Sequence, residues 1–205
     1  MRDQPYEKVL RDIRIFPIFE GANDVLQEFV GLSGMRPLGD KLAGFAKLNL
    51  RDPVASIGVV ADYVGGRVRR EIRPDRVTKA HPDLTKLAEP LGDQVKRLRE
   101  TSEALLRKHG KNITEHGFQL KRVASATADI YAQIATLSRV THIFNDQGAE
   151  VSGQERYIAE TFVTRAARRV DSVLDQVEHN DDDRTEAIAK LAYRRGEYGY
   201  ALFQD

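Results

Sequence analysis

The sequence predicts an all-α fold, an antiparallel helical bundle, on three observations. Apolar residues recur three and four positions apart along most of the 205 residues, which is the spacing of one helix face. No segment sustains the two-residue alternation of a half-buried strand. Gly110 and Gly148 follow the two longest periodic segments, in the place of helix C-terminal glycines.

Three short helices are expected in the first 48 residues. The first begins after Gln4-Pro5, and Pro17 stops it. The second covers about 24–32 and ends at Ser33-Gly34, and the third covers about 37–48. The second helix carries an apolar face made of Val25, Leu26, Phe29 and Val30.

A further helix is expected from about residue 53, weakened near its end by Gly65-Gly66. Residues 67–79 then form the most basic segment of the chain. Its cations are Arg67, Arg69, Arg70, Arg73, Arg76 and Lys79. Because Pro74 and Pro82 disfavour a helix here, we interpret the segment as a solvated linker. The alternative is a patch that contacts anionic lipid headgroups.

Three long helices are predicted next, at about 84–108, 115–144 and 153–177. Their predicted apolar stripes contain Leu84, Leu87, Leu91, Val95, Leu98 and Leu105; Leu120, Val123, Ile130, Ile134, Leu137 and Thr141; and Ile158, Phe162, Ala166, Val170, Val173 and Leu174. The acidic run 178–183 is predicted to open a last helix at about 184–195.

The composition narrows the classes of function. Lys and Arg number 32 against 31 Asp and Glu, so no global attraction to nucleic acid is expected. There is no cysteine, hence no disulfide and no cysteine metal site. None of the five histidines falls in an HExxH or ExxH pattern, so no metal site is predicted. No secretory signal or membrane-spanning run is visible, and we expect a soluble or at most peripheral protein that is not secreted.

Residues 15–24 stand apart from this helical pattern. Four bulky apolar residues surround Pro17, and the run ends in Glu20-Gly21. Burial among apolar groups would raise the pKa of the Glu20 carboxyl towards the range of a general base. Gly21 permits a tight turn and the close approach of a ligand, and a helix start at Asn23 or Asp24 suits an anionic cofactor. The alternative is a buried strand or turn in which Glu20 is a single paired carboxylate with a structural role.

Residues 6–26 resemble the C-terminal catalytic segment of acyl-CoA dehydrogenases. They read YEKVLRDIRIFPIFEGANDVL, against a family pattern of a VLRD-like helix followed by IFxIFEGTND. The very-long-chain branch is the most similar, because an extra helical domain follows its catalytic bundle. The sequences HPDL at 81–84 and GFQLKR at 117–122 also resemble that extra domain. The resemblance divides the chain into 1–48, the end of the catalytic helical domain, and 49–205, the appended accessory domain.

The resemblance implies a chemical role for the segment. Glu20 would be the base that removes the α-proton of a long-chain acyl-CoA, in fatty acid β-oxidation, while a hydride passes to FAD. It assigns Phe19 and Gly21 to the acyl-thioester site, and Ala22, Asn23 and Asp24 to the FAD. Ala22 departs from the family's usual Thr, which removes one hydroxyl from the flavin side.

The resemblance also implies partners and a compartment. These are electron-transfer flavoprotein as electron acceptor, a second copy in a homodimer, and a peripheral membrane contact through the basic segment. The compartment would be the cytoplasm of a bacterium, or else the mitochondrial matrix at the inner membrane. Most of the flavin pocket would come from residues that precede this chain, so we expect the isolated chain to be inactive. The alternative function is a catalytically incomplete helical adaptor for oligomerisation or membrane attachment.

Overall fold

The computed structural model describes residues 5–19, 21–46, 76–150 and 153–196, and these residues form helices and turns without a strand. The α-helices of the described residues are α1 (Tyr6–Ile13), α2 (Asn23–Ala46), α3 (Thr85–Ala88), α4 (Pro90–His109), α5 (Gly117–Gln147), α6 (Gly153–Asp175) and α7 (Asp182–Arg195). Two 3₁₀ segments, Pro82–Leu84 and Gly110–Glu115, precede α3 and α5. The all-α prediction is confirmed. The helix predicted from residue 53 lies outside the described residues.

One predicted boundary is wrong. A break was expected at Ser33-Gly34, yet α2 is a single helix from Asn23 to Ala46 with Pro37 inside it. A glycine and a proline in a helix interior cost about 1 and 3 kcal/mol relative to alanine. Gly31 and Met35 are both buried. Their packing against the rest of the bundle continues through the predicted break and offsets these local costs.

The core consists of two clusters that share α5. The larger cluster joins α3, α4, α5 and α6, and its buried members include Leu91, Leu137 and Val170. The smaller cluster brings Met35 of α2 against Leu120 of α5 and neighbours from α4. Each large apolar side chain removed from water contributes about 1.5–3 kcal/mol. Because α5 contributes buried residues to both clusters, it stabilises the packing of both α2 and α6.

The long helices end where the glycines predict. The N–H of Gly110 donates to the carbonyl of Leu106, and the N–H of Gly148 donates to the carbonyl of Phe144. Both glycines have positive φ, at 56° and 88°, which favours a residue without a Cβ. The predicted C-terminal glycines are confirmed.

Two positions of the predicted stripes are wrong. Ile134 is 43% exposed and Ile158 is 55% exposed. Helical spacing alone does not define the width of a buried face, because that width depends on which neighbouring helix covers it. The core instead uses apolar residues that the predicted stripes omitted, namely Ala126, Val140, Phe144, Ala159 and Val163.

The last helix begins in the acidic run, as expected, but it is weakly attached. No residue of α7 is buried. The half-buried Asp182 at its first turn accepts hydrogen bonds from Arg122 and Gln119 of α5. Among the described helices, none combines the length and the low polarity needed to cross a bilayer.

Candidate functional site

The segment that connects α1 to α2 is a series of turns. Helix α1 ends at Ile13, four residues before Pro17. The N–H groups of Ile18 and Phe19 both donate to the carbonyl of Ile15, at 2.9 and 3.1 Å. Gly21 has φ of 113°, in the left-handed region that side chains rarely adopt. The expected tight turn at Gly21 is present.

The candidate site residues surround this turn. Glu20 itself lies outside the described residues. The ring of Phe19 packs against that of Phe16, with centroids 5.9 Å apart. Leu26 folds back over Gly21, since a Cβ on Gly21 would lie 3.8 Å from its side chain. Gly21 and Ala22 are exposed, as are Asn23 and Asp24 in the first turn of α2.

The apolar residues that flank Glu20 are exposed rather than buried. We call these exposed side chains together the N-terminal apolar surface: they are Tyr6, Val9, Leu10, Ile13, Ile15, Phe16, Ile18, Phe19, Val25, Leu26, Phe29 and Val30. The apolar burial that was expected to raise the pKa of Glu20 stays a prediction, because Glu20 lies outside the described residues. Twelve large exposed apolar side chains between residues 6 and 30 indicate an interaction surface.

Asp24 is held from outside its own helix. Its Oδ1 accepts a 2.6 Å hydrogen bond from Nζ of Lys121, which lies on α5. The two residues are 97 positions apart in the sequence. This ion pair ties the first turn of α2, next to the candidate site, to the central helix of the bundle.

Helix α2 approaches α5 closely through two glycines. A Cβ on Gly31 would lie 2.7 Å from the carbonyl oxygen of Leu120. A Cβ on Gly117 would lie 2.5 Å from Oε1 of Glu28. The first obstacle is backbone and the second is the end of a flexible side chain, so only the Gly31 contact is rigid.

A charged groove of about 1140 Å³ lies beside this contact. It is bounded by the starts of α2, α5 and α7 and by the end of α4. Its carboxylates are Asp24, Glu28, Glu115, Glu178, Asp182, Asp183 and Glu186, and its cationic side chains include Lys108 and Lys121. Because Asp24 and Lys121 both line it, the groove borders the candidate site.

Two histidines lie against each other at the edge of this groove, with their ring planes tilted by 46°. The rings of His109 and His116 lie 3.8 Å apart between centroids. Burial lowers the pKa of His109, and the neighbouring His116 and Lys108 lower it further. His116 is half-buried, whereas His142 further along α5 is exposed. Within the described ranges no three His, Asp or Glu side chains converge as a metal site would require.

The basic segment falls mostly outside the described residues. Arg67, Arg69, Arg70 and Arg73 lie outside them, whereas Arg76 and Lys79 are described and exposed.

The family of the chain follows from its C-terminal helices. The family model for the ACAD9/ACADV C-terminal domain matches residues 82–198, which include α3 to α7. The chain belongs to this family.

Two relatives of the chain are named as dehydrogenases. The mouse mitochondrial very long-chain specific acyl-CoA dehydrogenase is 33% identical over 174 residues, covering 83% of this chain and 26% of the relative. The human protein of the same name is 32% identical, also over 174 residues that cover 83% of this chain and 26% of the relative. The chain thus spans about a quarter of the length of these relatives.

A solved structure shares the fold. It is an acyl-CoA dehydrogenase from Bacillus anthracis complexed with FAD, and it matches 100% of this chain and 32% of its own length. The TM-score is 0.61 at 17% sequence identity. The family and the fold expected from the resemblance are confirmed.

The contacts that attach α2 and α7 to the bundle were not predicted, although Leu120 was expected on an apolar stripe. They involve Gly117, Leu120, Lys121 and Arg122 at the start of α5. All four lie in the GFQLKR stretch that carried part of the resemblance. The stretch was visible in the sequence, but its partners on α2 and α7 were too distant in the chain to infer.

Proposed function

We propose that this chain is the C-terminal part of a flavin-dependent acyl-CoA dehydrogenase that acts on long-chain acyl-CoA in fatty acid β-oxidation. One observation carries the proposal beyond family membership. The IFPIFEGAND segment lies within the N-terminal apolar surface, which remains uncovered in the described chain. A site built to act with a further part of the same protein accounts for both the motif and the exposure.

Glu20 would act as the base. Removal of an α-proton from a thioester requires a carboxylate held close to that carbon and shielded from water. Covering the N-terminal apolar surface with the rest of the enzyme would supply the shielding and raise the pKa of Glu20. Phe19 and Gly21 would line the acyl-thioester site, where the missing Cβ of Gly21 leaves room for close approach.

The first turn of α2 would face the cofactor. FAD, when bound, would accept the hydride from the β-carbon. Ala22, Asn23 and Asp24 are exposed, and the first intrahelical bond in this region runs from the N–H of Leu26 to the carbonyl of Ala22. N–H groups of a first helical turn have no partner within their helix and suit acceptor groups of a ligand. The residues present therefore fit such a cofactor.

The two parts of the chain would have different roles. Residues 1–48 would complete the catalytic helical domain, and residues 49–205 would form the accessory domain. Electron-transfer flavoprotein would take the electrons, and a second copy would form a homodimer. The relatives named above are mitochondrial proteins, and we propose the matrix side of the inner membrane, or the cytoplasm in a bacterium, with a peripheral contact through the basic segment.

The test compares the chain alone with the longer protein that contains it. Purified chain mixed with FAD and palmitoyl-CoA is expected to show no flavin bleaching. The flavin of the longer protein is expected to be bleached by palmitoyl-CoA. Glu20→Gln should abolish this flavin bleaching while leaving the amount of bound flavin unchanged. Glu7→Gln is the matched control, because Glu7 lies on exposed α1 and pairs only locally with Arg11. Normal turnover by Glu20→Gln would remove Glu20 from the mechanism.

A second candidate function is a helical adaptor. It is favoured by α7, which buries no residue and exposes Ile188, Leu191 and Tyr193. An adaptor would keep its partner contacts with Glu20 replaced, and its longer form would not bleach flavin with any acyl-CoA.

A further inference from the structure

We propose that Lys121 is a positioning residue for the candidate site, and that α5 sets the placement of the site-bearing turn through Lys121 and Leu120. This inference rests on the proposed function for its catalytic consequence. The structural relationship itself needs neither flavin nor substrate.

The ion pair provides the first point of attachment. Lys121 Nζ lies 2.6 Å from Asp24 Oδ1, and the side chain of Lys121 is 34% exposed whereas that of Asp24 is 73% exposed. Lys121 is thus the less exposed partner, and its side chain extends from α5 to an aspartate that is mostly exposed to water. Glu28 and Asp182 line the same groove, but the hydrogen bond is made to Asp24.

The glycine contact provides the second point. The space for a Cβ on Gly31 is closed by backbone of Leu120, whose carbonyl oxygen, carbonyl carbon and Cα would lie at 2.7, 3.2 and 3.3 Å. Backbone inside a long helix cannot move aside as a side chain does. The Gly31 contact therefore sets how closely α2 lies on α5.

The two points lie on one rigid element. Asp24 and Gly31 are seven residues apart, which is about 10 Å along a helix. The Gly31 contact sets the distance between the helices, and the Lys121 pair fixes the rotation of α2 at its first turn. Gly21 and Ala22 directly precede that turn, so they move with it. Asp24 would consequently serve the site by anchoring the helix that carries it.

Hydrogen exchange in the chain alone tests the anchor. An exposed ion pair contributes enough to slow local opening by about two- to fivefold. Lys121→Met is expected to speed amide exchange in peptides covering residues 19–32 by that factor, with α6 and the melting temperature unchanged. Lys121→Arg keeps the charge and should restore most of the protection.

Lys190→Met is the matched control. It breaks a 2.6 Å pair with Glu186 on α7, where both side chains are more than half exposed. Exchange in residues 19–32 should be unaffected by it. Equal exchange in wild type and Lys121→Met overturns the proposal, as does an equal effect of Lys190→Met.

A pair of glycine substitutions tests the second point. Gly31→Ala meets the Leu120 backbone, whereas Gly34→Ala, one turn further along α2, meets nothing within 4 Å. Only Gly31→Ala should speed exchange across residues 19–32. Similar behaviour of the two variants would show that the close approach does not control the turn.

The catalytic consequence is measured in the longer protein. Lys121→Met should lower kcat by about two- to fivefold, as expected for a surface ion pair, with unchanged flavin content, and Lys121→Arg should recover it. If exchange changes but the longer protein shows no dehydrogenase activity in any form, the proposed function fails and the anchor stands. If exchange changes and kcat does not, the turn is anchored but Lys121 has no positioning role, and the inference is overturned.

Discussion

The guanidinium of Arg122 forms two parallel hydrogen bonds to the carboxylate of Asp182, each 2.6 Å long between nitrogen and oxygen. The side chains are only 16% and 20% exposed, and the pair joins α5 to the first turn of α7. Bidentate arginine–carboxylate pairs are the stronger and more directional kind of ion pair. Since α7 buries no residue, this pair is a principal attachment of the last helix.

Arg122→Ala is expected to release α7. Asp182 would keep a partly buried charge without its main donors, at a cost of about 1.5–3 kcal/mol. Limited proteolysis should then cut within 182–195 sooner, while α4 to α6 stay protected. Arg184→Ala is the control, because Arg184 pairs with Asp181 on the open surface. Unchanged proteolysis of the Arg122 variant would mean that other contacts hold α7.

Local signals predicted the central bundle well. Periodic apolar faces and terminal glycines placed α4, α5 and α6, because both signals act within a few residues of the chain. Contacts between residues far apart in the sequence determine the features that were predicted wrongly. The continuous α2 depends on the packing of Gly31 and Met35, on either side of the predicted break, and the exposure of Ile158 depends on what covers α6.

The candidate site was predictable as a motif but not as a structure. The IFPIFEGAND stretch could be recognised from its residues, and the turn at Gly21 followed from glycine chemistry. The pairing of Asp24 with Lys121 joins residues 97 positions apart and has no local signature. The burial expected around Glu20 stays a prediction, because Glu20 lies outside the described residues.

The buried amides of Gln94 and Gln133 provide a second prediction. Nε2 of Gln133 donates to Oε1 of Gln94 at 2.9 Å, and both side chains are buried. Oε1 of Gln133 has no hydrogen-bond partner among the described residues. Gln94→Leu should reduce the free energy of unfolding by about 1–3 kcal/mol, because Gln133 then loses its acceptor as well.

Adding Gln133→Leu to that variant should recover the lost free energy of unfolding. Replacing both members of a buried polar pair removes the unsatisfied groups together and is often neutral or stabilising. Urea unfolding of the four proteins in a double-mutant cycle measures the coupling. Simple additivity of the two single effects would contradict the prediction.

Leu120 supports α2 through its side chain as well as its backbone. The side chain is fully buried in the cluster that contains Met35. Leu120→Ala should reduce the free energy of unfolding by about 2–5 kcal/mol, through lost transfer energy and the cavity left behind. Ile158→Ala, at an exposed position of α6, should change it by no more than about 0.5 kcal/mol. Comparable losses in the two variants would show that the smaller cluster adds little.

The contact between His109 and His116 predicts a pH dependence of stability. Burial, then the charges of His116 and Lys108, lower the pKa of His109 in the folded chain below its ordinary 6.5. Between the folded and the ordinary pKa the unfolded chain binds more protons, so the free energy of unfolding rises with pH there. The contribution is complete above pH 6.5 and is lost as the pH falls through the folded pKa.

His109→Gln is therefore expected to flatten the fall in stability below pH 6.5. Urea unfolding on either side of that pH measures the change in slope. His142→Gln is the control, since His142 lies exposed on α5 away from the histidine pair, and it should keep the wild-type slope. An unchanged slope in the His109 variant would show that burial of His109 beside His116 and Lys108 does not cause the fall in stability below pH 6.5.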